Sequence, residues 1–256
     1  MHELDLEKLI AGAVFVGARV AGLLVFCPFL GSNAIPARLK AVLVLMITIV
    51  LFPMRSGMEI DPNSWQWAGV LLHEAVIGLM LGLAANFMME APMMAGQILG
   101  VQMGYSLATL FDPQTQADTP VLGEFHRLAA LLIFLQIDVH HWLLRALVNS
   151  FRYLPPGSAI SSYAAVSGLL QAAGGVFLAA VQIAAPALVA TLIADVTLGF
   201  LGKASAQLPV LFIGLAVKNL LGLTLLVAVI AYWPHSFSQK FADSVVVGER
   251  LLHLAQ

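Results

Sequence analysis

Long apolar tracts alternate with short polar or proline-containing breaks along this chain of 256 residues. The tracts cover residues 9–30, 41–52, 68–89, 93–110, 128–148, 163–201 and 208–233. Breaks are expected at residues 31–36, 53–66, Pro92, 112–120, 155–157 and 205–209, where Gly, Pro and polar residues cluster. Because an apolar environment leaves no room for unpaired backbone groups, such tracts predict helices and no β-strand. We therefore predict an all-α fold of membrane-associated helical hairpins, forming one domain over residues 1–256.

Several tracts are poor candidates for independent membrane spans. A bilayer core of about 30 Å needs about 20 apolar residues, but tract 41–52 would reach only about 18 Å as a helix. The longer tracts also contain ionisable side chains, each costing about 2.5–3.5 kcal/mol at a lipid-facing helix centre. They include Arg19, Glu74, Asp138, Asp195 and Lys218, and Glu90 directly follows tract 68–89. We therefore expect most of the helices to face protein or water.

The composition places the chain among integral membrane proteins or obligate parts of a membrane assembly. Apolar residues make up 60% and charged residues 10%, whereas soluble domains carry about 25% charge. The mean hydropathy is +0.92. A net charge of −2, without a long basic run, argues against nucleic-acid binding. The single cysteine, Cys27, excludes an intrachain disulfide and is most simply a small core residue.

Small residues recur at helical spacing in two tracts. Gly96, Gly100 and Gly104 follow one another every four residues, and Gly78 and Gly82 repeat that spacing. Such a stripe lets a second helix approach closely, which is how membrane helices pack. The spacing fits packing within the chain and packing on a partner, and we take packing within the chain as the default.

The sequence offers little catalytic or metal-binding chemistry. His73-Glu74 begins like a zinc-protease motif, but that motif needs a histidine four residues after the first, and position 77 is Ile. His140 and His141 are adjacent, and neighbours on a helix do not share a face. We therefore predict no metal site, no cofactor, no catalytic residue and no enzymatic activity.

A buried ion pair is predicted between Asp195 and Lys218. The best turn in this region is 205–209, because Ser, Gln and Pro cluster there and Pro209 cannot continue a helix smoothly. Asp195 and Lys218 are equally far from its midpoint, so an antiparallel hairpin places both about 17 Å from the turn. Each charge alone would be costly at that depth. In the competing interpretation, each residue meets a group on a partner chain.

Several separated motifs occur in an order that is typical of one family. They include PFLGSNAIPARLKAVLVL, GQILGVQMGYSLATLFDP, PVLGEF, HHWLLRALVNSFRYLPPG and AAPALVATLIADVTLGFLGKASAQLPVLFIGLAVKNLLGL. Together they resemble the FliR family of flagellar export-gate proteins, whose counterpart in virulence type III secretion is the SctT family. The resemblance covers nearly the whole chain. One departure is the run Gln114-Thr115-Gln116, since the family often has a glycine soon after the Asp-Pro.

The resemblance implies a structural, pore-forming subunit of the flagellar type III export gate. Such a gate passes unfolded flagellar subunits across the bacterial inner membrane at the basal body. The implied partners are FliP, FliQ, the proton-coupled export-gate protein of the same apparatus and the secreted substrates. The loop after the glycine-rich helix would help to close the pore, with Leu110 and Phe111 as an apolar stopper. The expected pore residues are Gln102, Met103, Gly104, Tyr105, Leu110, Phe111, Asp112 and Pro113.

A second function class is a small ion-coupled secondary transporter. Glu74, Glu90, Asp138 and Asp195 would then form an ion path through interrupted helices. The chain lacks the visible internal repeat that such transporters commonly show. The two classes also predict different behaviour, because a transporter is stable when expressed alone and a gate subunit needs its partners.

Overall fold

The computed structural model describes residues 2–32, 35–55, 66–105, 120–157, 162–205, 209–235 and 237. In these ranges the regular structure is helical and contains no strand, so the predicted all-α fold is confirmed. The helices are α1 (His2–Phe26), α2 (Ala37–Leu51), α3 (Gln66–Gln102), α4 (Val121–Gln136), α5 (Val139–Tyr153), α6 (Ser162–Ala204) and α7 (Val210–Ile230), with a 3-10 turn at Phe52–Arg55 after α2.

Four helices among the described residues are long and apolar enough to cross a membrane. Their qualifying segments are Leu9–Phe26 in α1, Trp67–Gln102 in α3, Leu169–Ala204 in α6 and Phe212–Ile230 in α7. The shorter α4 and α5 pass the same test only together, as a pair bent by 68° that forms either a broken span or a re-entrant loop. Helix α2 has 15 residues and is too short, as its tract predicted. The chain is therefore a helical membrane protein.

Two of the predicted helix boundaries are wrong. Helix α3 continues through Pro92, where a break was expected, and α6 likewise contains Pro186. Proline removes one backbone hydrogen bond, a loss that membrane-type helices tolerate when neighbours satisfy the freed carbonyl. Conversely, tract 128–148 is divided at Asp138, whose left-handed backbone (φ 55°, ψ 32°) separates α4 from α5. The predicted 205–209 turn does fall between α6 and α7.

The described residues divide into two compact units. Unit 1 contains those of Met1–Met88 and Asp138–Ala173, and unit 2 contains those of Met89–Ile137 and Gly174–Gln239. Helices α3 and α6 each contribute one segment to each unit. The organisation as one domain stays a prediction.

Backbone contact between α1 and α3 organises unit 1. A Cβ added to Gly78 would overlap the carbonyl oxygen of Arg19, and one added to Gly22 would overlap that of Ala75. A Cβ on Gly82 would lie only 2.5 Å from another carbonyl oxygen of α1. Glycine is therefore required on both helices, because any side chain at the crossing would separate their backbones.

A buried ion pair between Arg19 of α1 and Glu74 of α3 lies near this crossing. The Arg19 and Glu74 side chains are 0% and 1% exposed. Arg19 Nε donates to Glu74 Oε2 at 2.7 Å, and Arg19 Nη2 lies 2.6 Å from the same oxygen. Two nitrogens of the guanidinium therefore contact one oxygen of the carboxylate, and this charge-assisted interaction joins α1 to α3.

Helix α5 and the residues after it complete the environment of this pair. Arg19 donates through Nη1 to Ser150 Oγ at 3.1 Å and through Nη2 to the Leu154 carbonyl oxygen at 3.0 Å. The guanidinium carbon lies 4.2 Å from the centroid of the Phe151 ring. The Gly157 backbone N–H donates to Glu74 Oε1 at 3.1 Å. Both charged groups are thus hydrogen-bonded on more than one side, which offsets their desolvation.

Unit 2 has a core of small and flexible side chains. Alanines of α6 face the second segment of α3, and their size lets the two helices approach closely. The Met103 side chain occupies part of the remaining space, as expected for a flexible thioether. The buried cluster consists of Ala95, Leu99, Met103, Leu122, Ala180, Ala184 and Ala187.

We predict that Gly78→Ala destabilises the protein, because the new methyl group would overlap the α1 backbone. Overpacking of this kind typically costs about 1–3 kcal/mol. The matched control is Gly69→Ala on the same helix, where an added Cβ meets nothing within 4 Å. The measurement is the midpoint of heat-induced aggregation of the chain, extracted in detergent together with its membrane partners and followed by size-exclusion chromatography. Equal midpoints for the two variants would contradict the proposed crossing.

Candidate functional site

Three polar side chains from three helices meet in unit 2. Lys218 Nζ of α7 lies 2.9 Å from Asp195 Oδ1 of α6. Gln102 Nε2, in the last turn of α3, donates to Asp195 Oδ2 at 2.9 Å. The Asp195 carboxylate therefore has a partner on each oxygen. The structure brings Asp195 and Lys218 together and adds Gln102 to them, but the Asp195 carboxylate is half exposed, whereas the sequence predicted a buried pair.

This polar cluster is only partly shielded. The Lys218 side chain is 16% exposed and the Asp195 side chain 41% exposed. Beside Lys218, Oδ1 of Asn219 is buried and has no hydrogen-bond partner in the described part of the chain. A pair open to its surroundings on one side is stabilised less by its own contact than a sealed one. The cluster therefore suits a position beside water or a polar group of another subunit.

The end of α3 is fixed by a glycine stop. Gly104 has a left-handed backbone (φ 86°), which glycine adopts without strain. Its N–H donates to the Val101 carbonyl oxygen at 3.1 Å, and the Tyr105 N–H donates to that of Gly100 at 2.9 Å. These two bonds form a Schellman motif that terminates the helix. Gly104, expected in the packing stripe, therefore serves as the helix stop just before the predicted pore loop.

Met103 anchors the same helix end in the core of unit 2. Its side chain is 2% exposed and packs against Gly222 of α7, where an added Cβ would lie 2.6 Å from the Met103 sulfur. Tyr105 is 39% exposed. The predicted pore residues thus have distinct surroundings: Gln102 binds Asp195, Met103 is buried and Gly104 ends the helix. The expected residues outside the described ranges are Leu110, Phe111, Asp112 and Pro113.

The remaining glycines of the predicted packing stripes have different environments. Gly78 and Gly82 meet α1, and a Cβ on Gly96 would overlap the Leu122 carbonyl oxygen of α4. An added Cβ on Gly100 meets nothing within 4 Å. Close packing within the chain therefore occurs at Gly78, Gly82 and Gly96 but not at Gly100.

The outward faces of α6 and α7 are strongly apolar. Only 22% of the qualifying segment of α6 and 17% of that of α7 is buried inside the chain, against 50% for α1. These faces therefore require lipid or another subunit to cover them. Their large exposed side chains in unit 2 include Phe177, Leu178, Val189, Leu192, Ile193, Val196 and Phe200 on α6, and Phe212, Leu220, Leu223 and Val227 on α7.

Reactive side chains in the described residues are few. Cys27 is buried, and burial raises the pKa of its thiol to about 12, so the unreactive thiol form dominates at neutral pH. His126 is 1% exposed, its Nδ1 lies 2.7 Å from the Leu122 carbonyl oxygen, and its ring centroid lies 4.9 Å from that of the tilted Trp233 ring. Among the described residues, the group with the donor types and spacing of a metal site is Asp138, His140 and His141.

Comparisons with known proteins match most of the chain. Residues 10–244 match the model of the family described as "Bacterial export proteins, family 1". The flagellar biosynthetic protein FliR of Escherichia coli (strain K12) is 31% identical over 227 residues, 87% of each chain. FliR of Bacillus subtilis (strain 168) is 30% identical over 211 residues, 80% of each chain. The secretion system apparatus protein SsaT of Salmonella typhimurium is 29% identical over 245 residues, covering 92% of this chain and 93% of that protein.

The Asp195–Lys218 contact predicts a recoverable double mutant. Asp195→Asn and Lys218→Met alone should each reduce the amount of chain recovered in its membrane complex, because each leaves one charge in an apolar helix pair. The two changes together should recover part of that loss. Recovery is measured by native gel electrophoresis of detergent extracts. A double mutant that assembles no better than the worse single mutant would show that the two side chains do not act as a pair.

Proposed function

This chain belongs to the family of bacterial export proteins, family 1, and on that premise we propose that it is a structural subunit of the flagellar type III export gate. The observation that carries the proposal is the similarity to flagellar FliR proteins over 80–87% of the chain. In this role the subunit helps to form the pore through which unfolded flagellar subunits cross the inner membrane at the basal body. It supports passage and performs no chemistry of its own.

The exposed faces of α6 and α7 support assembly with partner subunits. A lipid-facing helix would carry apolar side chains alone, yet the partly exposed Asp195 lies on α6 among them. Lipid contact with a carboxylate is costly, whereas a partner or a water-filled pore accommodates it. We propose that FliP and FliQ subunits cover these faces, and that the proton-coupled gate protein of the apparatus joins the same assembly.

The geometry at the end of α3 supports a role in pore closure. Gln102 is tied to α6 by Asp195, Met103 is held in the core, and Gly104 stops the helix. These contacts therefore hold the residues that directly precede the segment 105–122 in place. We propose that this segment restricts the pore at rest, with Leu110 and Phe111 as the apolar stopper.

The surroundings of the carboxylates favour this role over ion transport. Of the four carboxylates in the transporter hypothesis, Glu74 is buried against Arg19 and Asp195 contacts Lys218, so these two have a cationic partner within 3 Å. A transport pathway needs carboxylates that exchange such partners for the coupling ion. Glu74 in particular would have to give up contacts that hold α1, α3 and α5 together.

Deletion and complementation test the proposed function directly. A strain lacking this chain should neither swim nor secrete flagellar subunits into the medium, and a plasmid copy should restore both activities. Affinity purification of the tagged chain should recover FliP and FliQ by mass spectrometry. Normal secretion without the chain, or a purified chain without these subunits, would contradict the proposal.

We predict that the assembled chain buries more than about 2,000 Å² against other subunits, the range of obligate interfaces. The basis is the open apolar surface of α6 and α7. Expressed alone, the chain should aggregate or be degraded, and co-expression with FliP and FliQ should give a monodisperse complex. The measurement is size-exclusion chromatography with light scattering. A stable monomer in detergent would instead favour the transporter hypothesis.

We also predict that deleting residues 114–119 makes the assembled gate leaky to small ions, because the shortened loop could no longer place its apolar stopper. Conductance of the purified complex in planar bilayers is the measurement. Gln114→Ala keeps the length of the loop and should leave the resting gate closed. If the deletion and this control conduct equally little, the segment does not close the pore.

A further inference from the structure

Potential metal ligands lie together at the start of α5, within unit 1. Asp138 Oδ1 is 3.5 Å from His141 Nδ1 and 3.7 Å from His140 Nε2. The three ligand atoms all lie within 4.8 Å of one another, and the centroids of the imidazole rings are 4.2 Å apart. Two imidazoles and one carboxylate are a ligand set that zinc and related ions use in proteins.

The helix start explains why adjacent histidines converge here. Asp138 is the N-cap of α5, and its left-handed backbone departs from regular helix geometry. An aspartate at this position usually accepts a hydrogen bond from the first-turn N–H groups, but the Asp138 side chain makes no such capping bond. The carboxylate instead lies beside both rings. Asp138 and His141 have i,i+3 spacing, so they share a face even in a regular helix.

The distances fit a small divalent ion. Zinc–ligand bonds of about 2.0–2.2 Å in a tetrahedron place neighbouring ligand atoms about 3.3–3.6 Å apart. The two separations measured from Asp138 Oδ1 are at or just above this range. The histidine ligand atoms lie within 4.8 Å of each other, so side-chain rotations that bring them into this range would place all three atoms on one ion. We propose that Asp138, His140 and His141 bind a divalent transition-metal ion of the zinc class, with the fourth position open to water.

The exposure of the site agrees with this assignment. The Asp138 and His141 side chains are 66% and 60% exposed, which gives an ion access from the surroundings. His140 Nδ1 is buried and has no hydrogen-bond partner in the described ranges, so Nε2 is the nitrogen available to an ion. Calcium and magnesium fit poorly, because they prefer oxygen ligands.

A bound ion would stabilise the start of α5. It would tie the N-cap side chain to the first turn and hold the left-handed conformation of Asp138. The same helix carries Ser150, which accepts a hydrogen bond from Arg19. Metal binding therefore supports the helix that encloses the buried ion pair of unit 1.

Metal binding by the full chain, purified with its membrane partners through a tag that contains no histidine, tests the proposal. Zinc affinity is measured by competition with a chromophoric chelator, and Co²⁺ should give the absorption bands of a four-coordinate site. Asp138→Asn, His140→Ala and His141→Ala should each weaken zinc binding at least tenfold, since even outer-shell changes at zinc sites cost about 10–100-fold. The control His235→Ala removes an exposed histidine elsewhere and should leave the affinity unchanged.

A second measurement uses only the wild-type chain. Zinc should protect His140 and His141, but not His235, from modification by diethyl pyrocarbonate, as read by mass spectrometry. Absence of micromolar zinc binding, equal binding by all variants, or no selective protection would each overturn the site. None of these outcomes bears on the export role, because that role is scored by secretion.

Discussion

The buried Arg19–Glu74 ion pair is the constraint on which unit 1 depends. Removing two charges from water costs several kcal/mol for each ion, and mutual attraction offsets this only when hydrogen bonds also satisfy the remaining atoms. The glycine crossing at Gly22 and Gly78 brings α1 and α3 close enough for a short contact. Helix α5 then supplies Ser150 to the guanidinium. Because each helix satisfies a group on another, the three segments stabilise one another and none is independent.

The ion pair of unit 2 is more exposed than that of unit 1, and this difference in exposure bears on function. Asp195 and Lys218 are paired, but the carboxylate remains substantially exposed on a face that is otherwise apolar. The buried Arg19–Glu74 pair of unit 1 is satisfied by hydrogen bonds within the chain and needs no further contacts. A partly exposed pair beside uncovered apolar surface would leave the Asp195 carboxylate in contact with lipid, which is costly. We therefore expect partner subunits or a water-filled pore on this side of unit 2.

The sequence predicts those features that follow from local chemistry or simple spacing. Uninterrupted apolar tracts predict helices, because backbone N–H and C=O groups in an apolar environment must form hydrogen bonds with one another. The turn near Pro209 follows from its breakers, and two side chains equidistant from a turn meet at one depth, as Asp195 and Lys218 do. Their contact with Gln102 was not predictable, because it depends on how α3 packs against the hairpin. Likewise, the glycine spacing alone did not distinguish Gly96, which touches α4, from Gly104, which ends α3.

What sequence analysis missed depends on contacts between distant segments or on departures from ideal helices. No spacing rule connects Arg19 with Glu74, 55 residues apart. Pro92 looks like a helix breaker, yet α3 continues through it because the cost of one lost hydrogen bond is small beside the burial of a long helix. The break between α4 and α5 at Asp138 is marked by neither glycine nor proline, so the sequence did not predict it. Adjacent histidines point apart in a regular helix, but His140 and His141 lie close together at this helix start, where the Asp138 side chain lies beside both rings.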